Sequence, residues 1–133
     1  MRANLKARLS QLPGAGGFYL AHPAMAYYHR YMQKHGVELE PYVWVNAKPD
    51  IVLDGASRCS IGRGTFIPTT IQIRGTDTGR IIIGSNCSID TLARLHVAND
   101  AVLTLEDNVA IGPYDIINAF ADCTIQKNSM IGP

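Results

Sequence analysis

The sequence predicts an all-β repeat fold, a β-helix behind a short helical segment, and two patterns carry that expectation. From about residue 50 onward, aliphatic residues recur at six-residue intervals: Ile61, Ile67 and Ile73; Ile83, Ile89 and Leu95; Leu105, Ile111 and Ile117; Ile125 and Ile131. Extra residues enter only between these triplets. The step is ten from Ile73 to Ile83 and from Leu95 to Leu105, and eight from Ile117 to Ile125 and from Leu53 to Ile61. A helical spacing of about 3.6 fits none of this, whereas a fixed short period is the signature of stacked units. Three units of six close one coil, so the sequence predicts an insertion at one corner of every coil.

The flanking positions agree. Glycine or an acid follows the aliphatic in Leu53-Asp54, Ile61-Gly62, Ile83-Gly84, Ile89-Asp90, Leu105-Glu106, Ile111-Gly112 and Ile131-Gly132. Such residues tolerate turns, as a corner demands. Two residues before the aliphatics stand Cys59, Thr65, Cys87, Ala93, Val109, Cys123 and Ser129, nearly all small. A narrow triangular prism has room for one branched and one small side chain on each side. The three cysteines therefore read as core residues; their number is odd and no C-x-x-C spacing signals zinc or a disulfide framework.

Ahead of the repeat, residues 23–36 read as a helix marked at both ends. Pro23 suits the first turn and Gly36 the left-handed residue after the last. Ala24, Tyr27, Tyr28, Tyr31 and Met32 form an apolar stripe, with His29, Arg30, Gln33 and Lys34 on the other face and His29 and His35 solvated. A weaker helix over residues 2–12 ends at Pro13. Gly14-Ala15-Gly16-Gly17 reads as a flexible linker, because a phosphate-binding glycine loop needs a strand before it and a helix directly after it. The resulting division is a helical leader and connecting strand over 1–48 and the β-helix over 49–133.

Composition excludes several classes. The chain has 133 residues, 47% apolar and 17% charged, with a formal net charge of +1. Nothing in this balance points to nucleic acid, an acidic partner or disorder. No apolar run approaches the roughly 20 residues of a membrane span. Arg2, Asn4, Lys6 and Arg8 interrupt any signal-peptide core, so the expected compartment is the cytoplasm.

The aliphatic, Gly/Ala/Glu/Asp, two free positions, small residue pattern over residues 51–133 resembles the hexapeptide-repeat family. The resemblance implies a left-handed parallel β-helix, an exception to the usual crossover hand. Departures stand at Ile67-Pro68, Ile73-Arg74, Leu95-His96, Ile117-Asn118 and Ile125-Gln126. Arg74, His96 and Asn118 recur at 22-residue intervals, and each opens an insertion.

Members of that family are mostly acyltransferases using acetyl-CoA or another acyl-CoA, similar to sugar, serine and antibiotic acetyltransferases, and work as homotrimers. The resemblance thus implies an O- or N-acetyltransferase for a small or sugar acceptor, with acetyl-CoA as co-substrate. A histidine takes the acceptor's proton and backbone N–H groups stabilise the oxyanion. His96 is the histidine of the repeats and the candidate base, with Asp100, or more weakly Asn99, as its orienting partner. The bland alternative is a corner histidine facing solvent or another subunit. Arg74, Asn99, Asn118 and Asp122 are the candidate substrate- or CoA-binding residues. In galactoside- and maltose-type relatives, a coil like Leu105 to Ile117 leads into the histidine loop, where this chain has Asn118-Ala119-Phe120-Ala121-Asp122. In other sugar acetyltransferases the base follows a sequence resembling Ser129–Pro133, and on that alignment it lies beyond this chain. A coil cut at Pro133 would leave unpaired edges and an open bore, so the sequence predicts a piece of a longer enzyme. The competing class is a non-catalytic trimeric scaffold. A three-histidine metal site is rejected, because only His96 is available to it.

Overall fold

The computed structural model describes residues 22–132. The expected helix over 2–12 and the glycine linker lie outside the described residues. Helix α1 (Pro23–Lys34) packs on the start of a parallel β-helix with three faces. The first face stacks β1 (Val37–Leu39), β4 (Arg58–Ile61), β7 (Arg80–Ile83), β10 (Val102–Leu105) and β13 (Cys123–Ile125). The second stacks β2 (Trp44–Val45), β5 (Phe66–Ile67), β8 (Ser88–Ile89), β11 (Ala110–Ile111) and β14 (Met130–Ile131). The third stacks β3 (Asp50–Leu53), β6 (Gln72–Gly75), β9 (Arg94–Val97) and β12 (Ile116–Ala119). This is the β-helix architecture expected from the repeat.

The register is the one the aliphatic spacing dictates. Ile61 pairs with Ile83 and Ile83 with Leu105 on the first face. Ile89 pairs with Ile111 on the second face, and Ile73 with Leu95 and Leu95 with Ile117 on the third. Ile61, Ile67, Ile73, Ile83, Ile89, Leu95, Leu105 and Ile111 are all buried in one continuous core. Burying each such side chain contributes roughly 1.5–3 kcal/mol, set against the cost of ordering the chain.

The excess residues lie elsewhere than expected. Successive coils are offset by 22 residues, as in Cys59↔Ile81, and by 20 at Leu103↔Cys123. Through the regular coils every corner has four residues, such as 84–87, 90–93 and 98–101. The strands differ: four residues on the first and third faces, two on the second. No insertion projects at a corner; each long coil instead carries two extra residues on each of two faces. Adding residues in pairs preserves the alternation of inward and outward side chains, which an odd insertion would invert. The widened first face also admits branched neighbours, Ile81 beside Ile83 and Leu103 beside Leu105, where the narrow second face takes Cys87 beside Ile89.

Two further readings change. Ile51, not Leu53, is the counterpart of Ile73, and Leu53 pairs with Gly75. The coil itself begins at Val37, inside the segment 1–48 read as leader and connecting strand. There β1 joins β4 and β2 joins β5, with Leu39, Val45 and Ile51 at the same spacing of six. Three short aliphatics separated by prolines and charges made that first turn look like a connector.

Helix α1 starts on Pro23 and is followed by Gly36 at φ 93°, as its end signals predict. Its buried side is different. Met25, Ala26, His29 and Met32 are buried, while Tyr27 is 58% exposed and Tyr28 and Tyr31 lie at the margin. The helix is turned by about one residue, roughly 100°, from the expected stripe. At the margin a tyrosine can cover the core with its ring; the Lys48 ammonium lies 4.4 Å from the Tyr31 ring centroid.

His29, expected in solvent, is instead buried, and its Nε2–H donates to the Val43 carbonyl at 2.8 Å. Burial lowers its pKa, more than the hydrogen bond raises it. In the unfolded chain the imidazole takes a proton near pH 6.5. The native state resists that proton, so stability is complete above this value and declines as the pH falls below it. The melting temperature should drop on acidification from pH 7 to pH 5, and less so in His29→Gln. Equal slopes for both proteins would remove His29 from the acid response.

Candidate functional site

The outer surface of the third face is built by alternation. In β3, β6, β9 and β12 every second side chain points away from the core, giving two ladders across the coils. One ladder runs Asp50, Gln72, Arg94, Ile116, and the other Val52, Arg74, His96, Asn118. Adjacent rungs are about 4.8 Å apart. Arg74, His96 and Asn118 are thus brought together as the 22-residue interval implies. They occupy the third position of their strands on a flat face, not the mouth of a corner loop.

Arg74 is committed to the coil below. Its guanidinium donates to the Asp50 carboxylate and to the Asp50 carbonyl, each at 2.7 Å. This ion pair is partly exposed, so it contributes at most about 1 kcal/mol, but it fixes the guanidinium beside the ladder. His96 is half-buried between Arg74 and Asn118, and the Phe120 ring meets it edge-on with centroids 5.7 Å apart. Asn118 is exposed above it.

The other expected residues lie around the corner. Asn99 takes a left-handed backbone at φ 59°, and its amide approaches the Phe120 carbonyl at 3.5 Å. It therefore supports the residue that covers His96, and does not bond the imidazole. Asp100 is exposed on the same corner, with no hydrogen bond to His96 among the described residues. Asp122 accepts the backbone N–H of Val102 at 2.9 Å, so its carboxylate closes the corner between β12 and β13. Asp50, Arg94 and Phe120 belong to the face but were not foreseen. The signal for the first two was present: both stand two residues before a ladder member or its counterpart, and Asp50, Gln72 and Arg94 repeat the interval of 22.

Two of the three cysteines offer no nucleophile, while Cys123 is a partly exposed free thiol on β13. Cys59 and Cys87 are buried free thiols, and burial pushes Cys59 up to about 12 and raises Cys87 as well. Near neutral pH both stay protonated. Among the described residues no group of three His, Cys, Asp or Glu could hold a metal ion. No described helix is long and apolar enough to cross a membrane.

Fold and face together define a parallel β-helix protein with a polar ladder across one flat side. Comparison of the chain with protein-family models, with curated proteins and with solved structures gave no match.

Proposed function

We propose that the chain is an acyl-CoA-dependent acyltransferase that acetylates a hydroxyl or amine of a small or sugar acceptor, with the third face as its active surface. The observation that carries this reading is the in-register ladder Arg74–His96–Asn118, with His96 held edge-on by Phe120. The likeness of the repeat to hexapeptide acyltransferases supports it. His96 takes the acceptor's proton as the acceptor oxygen or nitrogen attacks the thioester carbon. Collapse of the tetrahedral adduct releases the CoA sulfur, which recovers that proton from the imidazolium. Asn118 offers an amide donor beside the reacting centre. Ile116 and Phe120, 63% and 59% exposed, offer apolar surface beside His96 for the acyl chain or the pantetheine arm.

The reading includes a homotrimer in the cytoplasm, where buried free thiols persist without oxidation. Light scattering at micromolar concentration should give three times 14.5 kDa. A monomer would remove the trimer from this reading. Acetyl transfer should be tested with hydroxyl and amine acceptors, following free CoA. Active protein should lose about 10²-fold or more in kcat on His96→Ala. Activity that survives the substitution would assign the base to another copy or another segment.

One observation favours a second reading, a non-catalytic trimeric scaffold: the regular coils turn on four-residue corners, with no projecting loop to enclose a substrate. Acetyl-CoA that leaves the melting temperature unchanged and no turnover with any acceptor would select it.

A further inference from the structure

On the outer surface of the first face, Arg58 of β4 and Arg80 of β7 stand opposite one another in register. Their strands are neighbours, so their backbones lie about 4.8 Å apart. Like charges directly opposite on a sheet are destabilising, and a pair of this kind calls for a partner. Among the described residues neither guanidinium lies in an ion pair; the one ion pair there joins Arg74 to Asp50. Arg58 is nevertheless positioned. One of its terminal nitrogens donates to the Ser57 carbonyl at 2.7 Å, and its stem runs past Gly36, where a Cβ would lie 3.8 Å from Arg58 Cδ.

Two depressions meet at Arg58. A groove of about 660 Å³ lies between the end of α1 and the corner that follows β3, lined by Lys34, His35, Leu53, Asp54 and Arg58. A smaller one of about 140 Å³ lies on the first face, lined by Glu38, Arg58, Ser60, Arg80 and Ile82. Three fixed cations and a histidine face two carboxylates across this continuous surface. The balance is one positive charge, and two of the three cations stand side by side on neighbouring strands.

We infer that the Arg58–Arg80 rung, with Lys34 at its side, binds the phosphoryl group of a small phosphorylated molecule. A guanidinium presents a planar fork of donors, and two forks on neighbouring strands can engage different oxygens of one tetrahedral oxyanion. A single carboxylate would occupy only one fork. Glu38 and Asp54 at the margins disfavour a polyanion such as nucleic acid and leave room for a compact ligand. The site is on the first face, separate from the His96 ladder. It does not rest on the acyl-transfer reading.

Inorganic pyrophosphate is the probe, titrated calorimetrically into the full chain, with acetate and citrate as carboxylate comparisons. Pyrophosphate should bind more tightly than either, and less tightly as salt rises from roughly 50 to roughly 300 mM. Arg80→Gln should weaken it about tenfold or more. The same variant should melt no lower than the parent without ligand, because it relieves a like-charge contact. Arg63→Gln, which alters an arginine stacked 4.8 Å from the Tyr42 ring centroid at another corner, should leave binding unchanged. Citrate binding as well as pyrophosphate would overturn the phosphoryl assignment. No pyrophosphate binding, or binding indifferent to Arg80→Gln, would overturn the site.

Discussion

Replacing Ile89 with aspartate is expected to leave no folded protein. Ile89 is completely buried on the narrow second face, paired in register with Ile111 and stacked above the coil that carries Ile67. A carboxylate there would lie in the buried apolar core that Ile67, Cys87 and Ile111 share. Ionised, it pays the full desolvation cost; protonated, it pays for lifting its pKa and still lacks a partner. Either route costs several kcal/mol, comparable with the roughly 5–15 kcal/mol that holds a whole domain together. Because each coil rests on its neighbours, a defect in a middle coil is not confined to one end. Circular dichroism and size exclusion should show an unfolded or aggregated chain, whereas Ile89→Val should fold and lose only about 1 kcal/mol. A soluble Ile89→Asp protein that melts cooperatively near the parent's temperature would refute the assigned register.

Gly62→Ala is expected to have the next largest effect. Gly62 directly follows β4, and its φ is not in the left-handed region; the residues with positive φ on this corner are Tyr42, Gly64, Asn86, Asn108 and Asn128. What requires glycine is the corner of the next coil. A Cβ at Gly62 would lie 2.5 Å from the Gly84 carbonyl carbon and 2.8 Å from the Ser85 nitrogen. Those are backbone atoms, held by the bonds from Gly62 N–H to the Ile83 carbonyl and from Gly84 N–H to the Leu105 carbonyl. Neither can move without opening the ladder, so about 3 kcal/mol or more should be lost. Gly132→Ala, where nothing lies within 4 Å, should be nearly neutral. Urea midpoints that fall equally for the two variants would show that the corners do not stack this closely.

The same glycine shows how far local sequence reading reaches. Its position after an aliphatic marks a corner, but tolerance of turn dihedrals is required of the residues two places further on. The reach of a Cβ into the next coil depends on contacts 22 residues away, which a motif of six residues does not contain. His29 makes a similar point. Its neighbours placed it on the polar side of an amphipathic helix, yet the carbonyl of Val43 offers a buried acceptor that makes an imidazole welcome there.

By itself the sequence determined the repeat, the faces on which Ile61, Ile67 and Ile73 and their successors stack, and the alignment of Arg74, His96 and Asn118. These follow from periodicity, because a coil that closes on a fixed count must put equivalent residues in line. Only the tertiary structure decided where the extra residues go, that the first coil starts at Val37, that Asp122 closes a corner, and that the Arg58–Arg80 pair, itself in line at the interval of 22, sits beside the end of α1. Periodicity is a property of spacing along the chain. Whether a paired insertion lengthens a strand or swells a corner depends on which choice keeps the core filled and the backbone bonded, and that balance exists only once the coils are stacked.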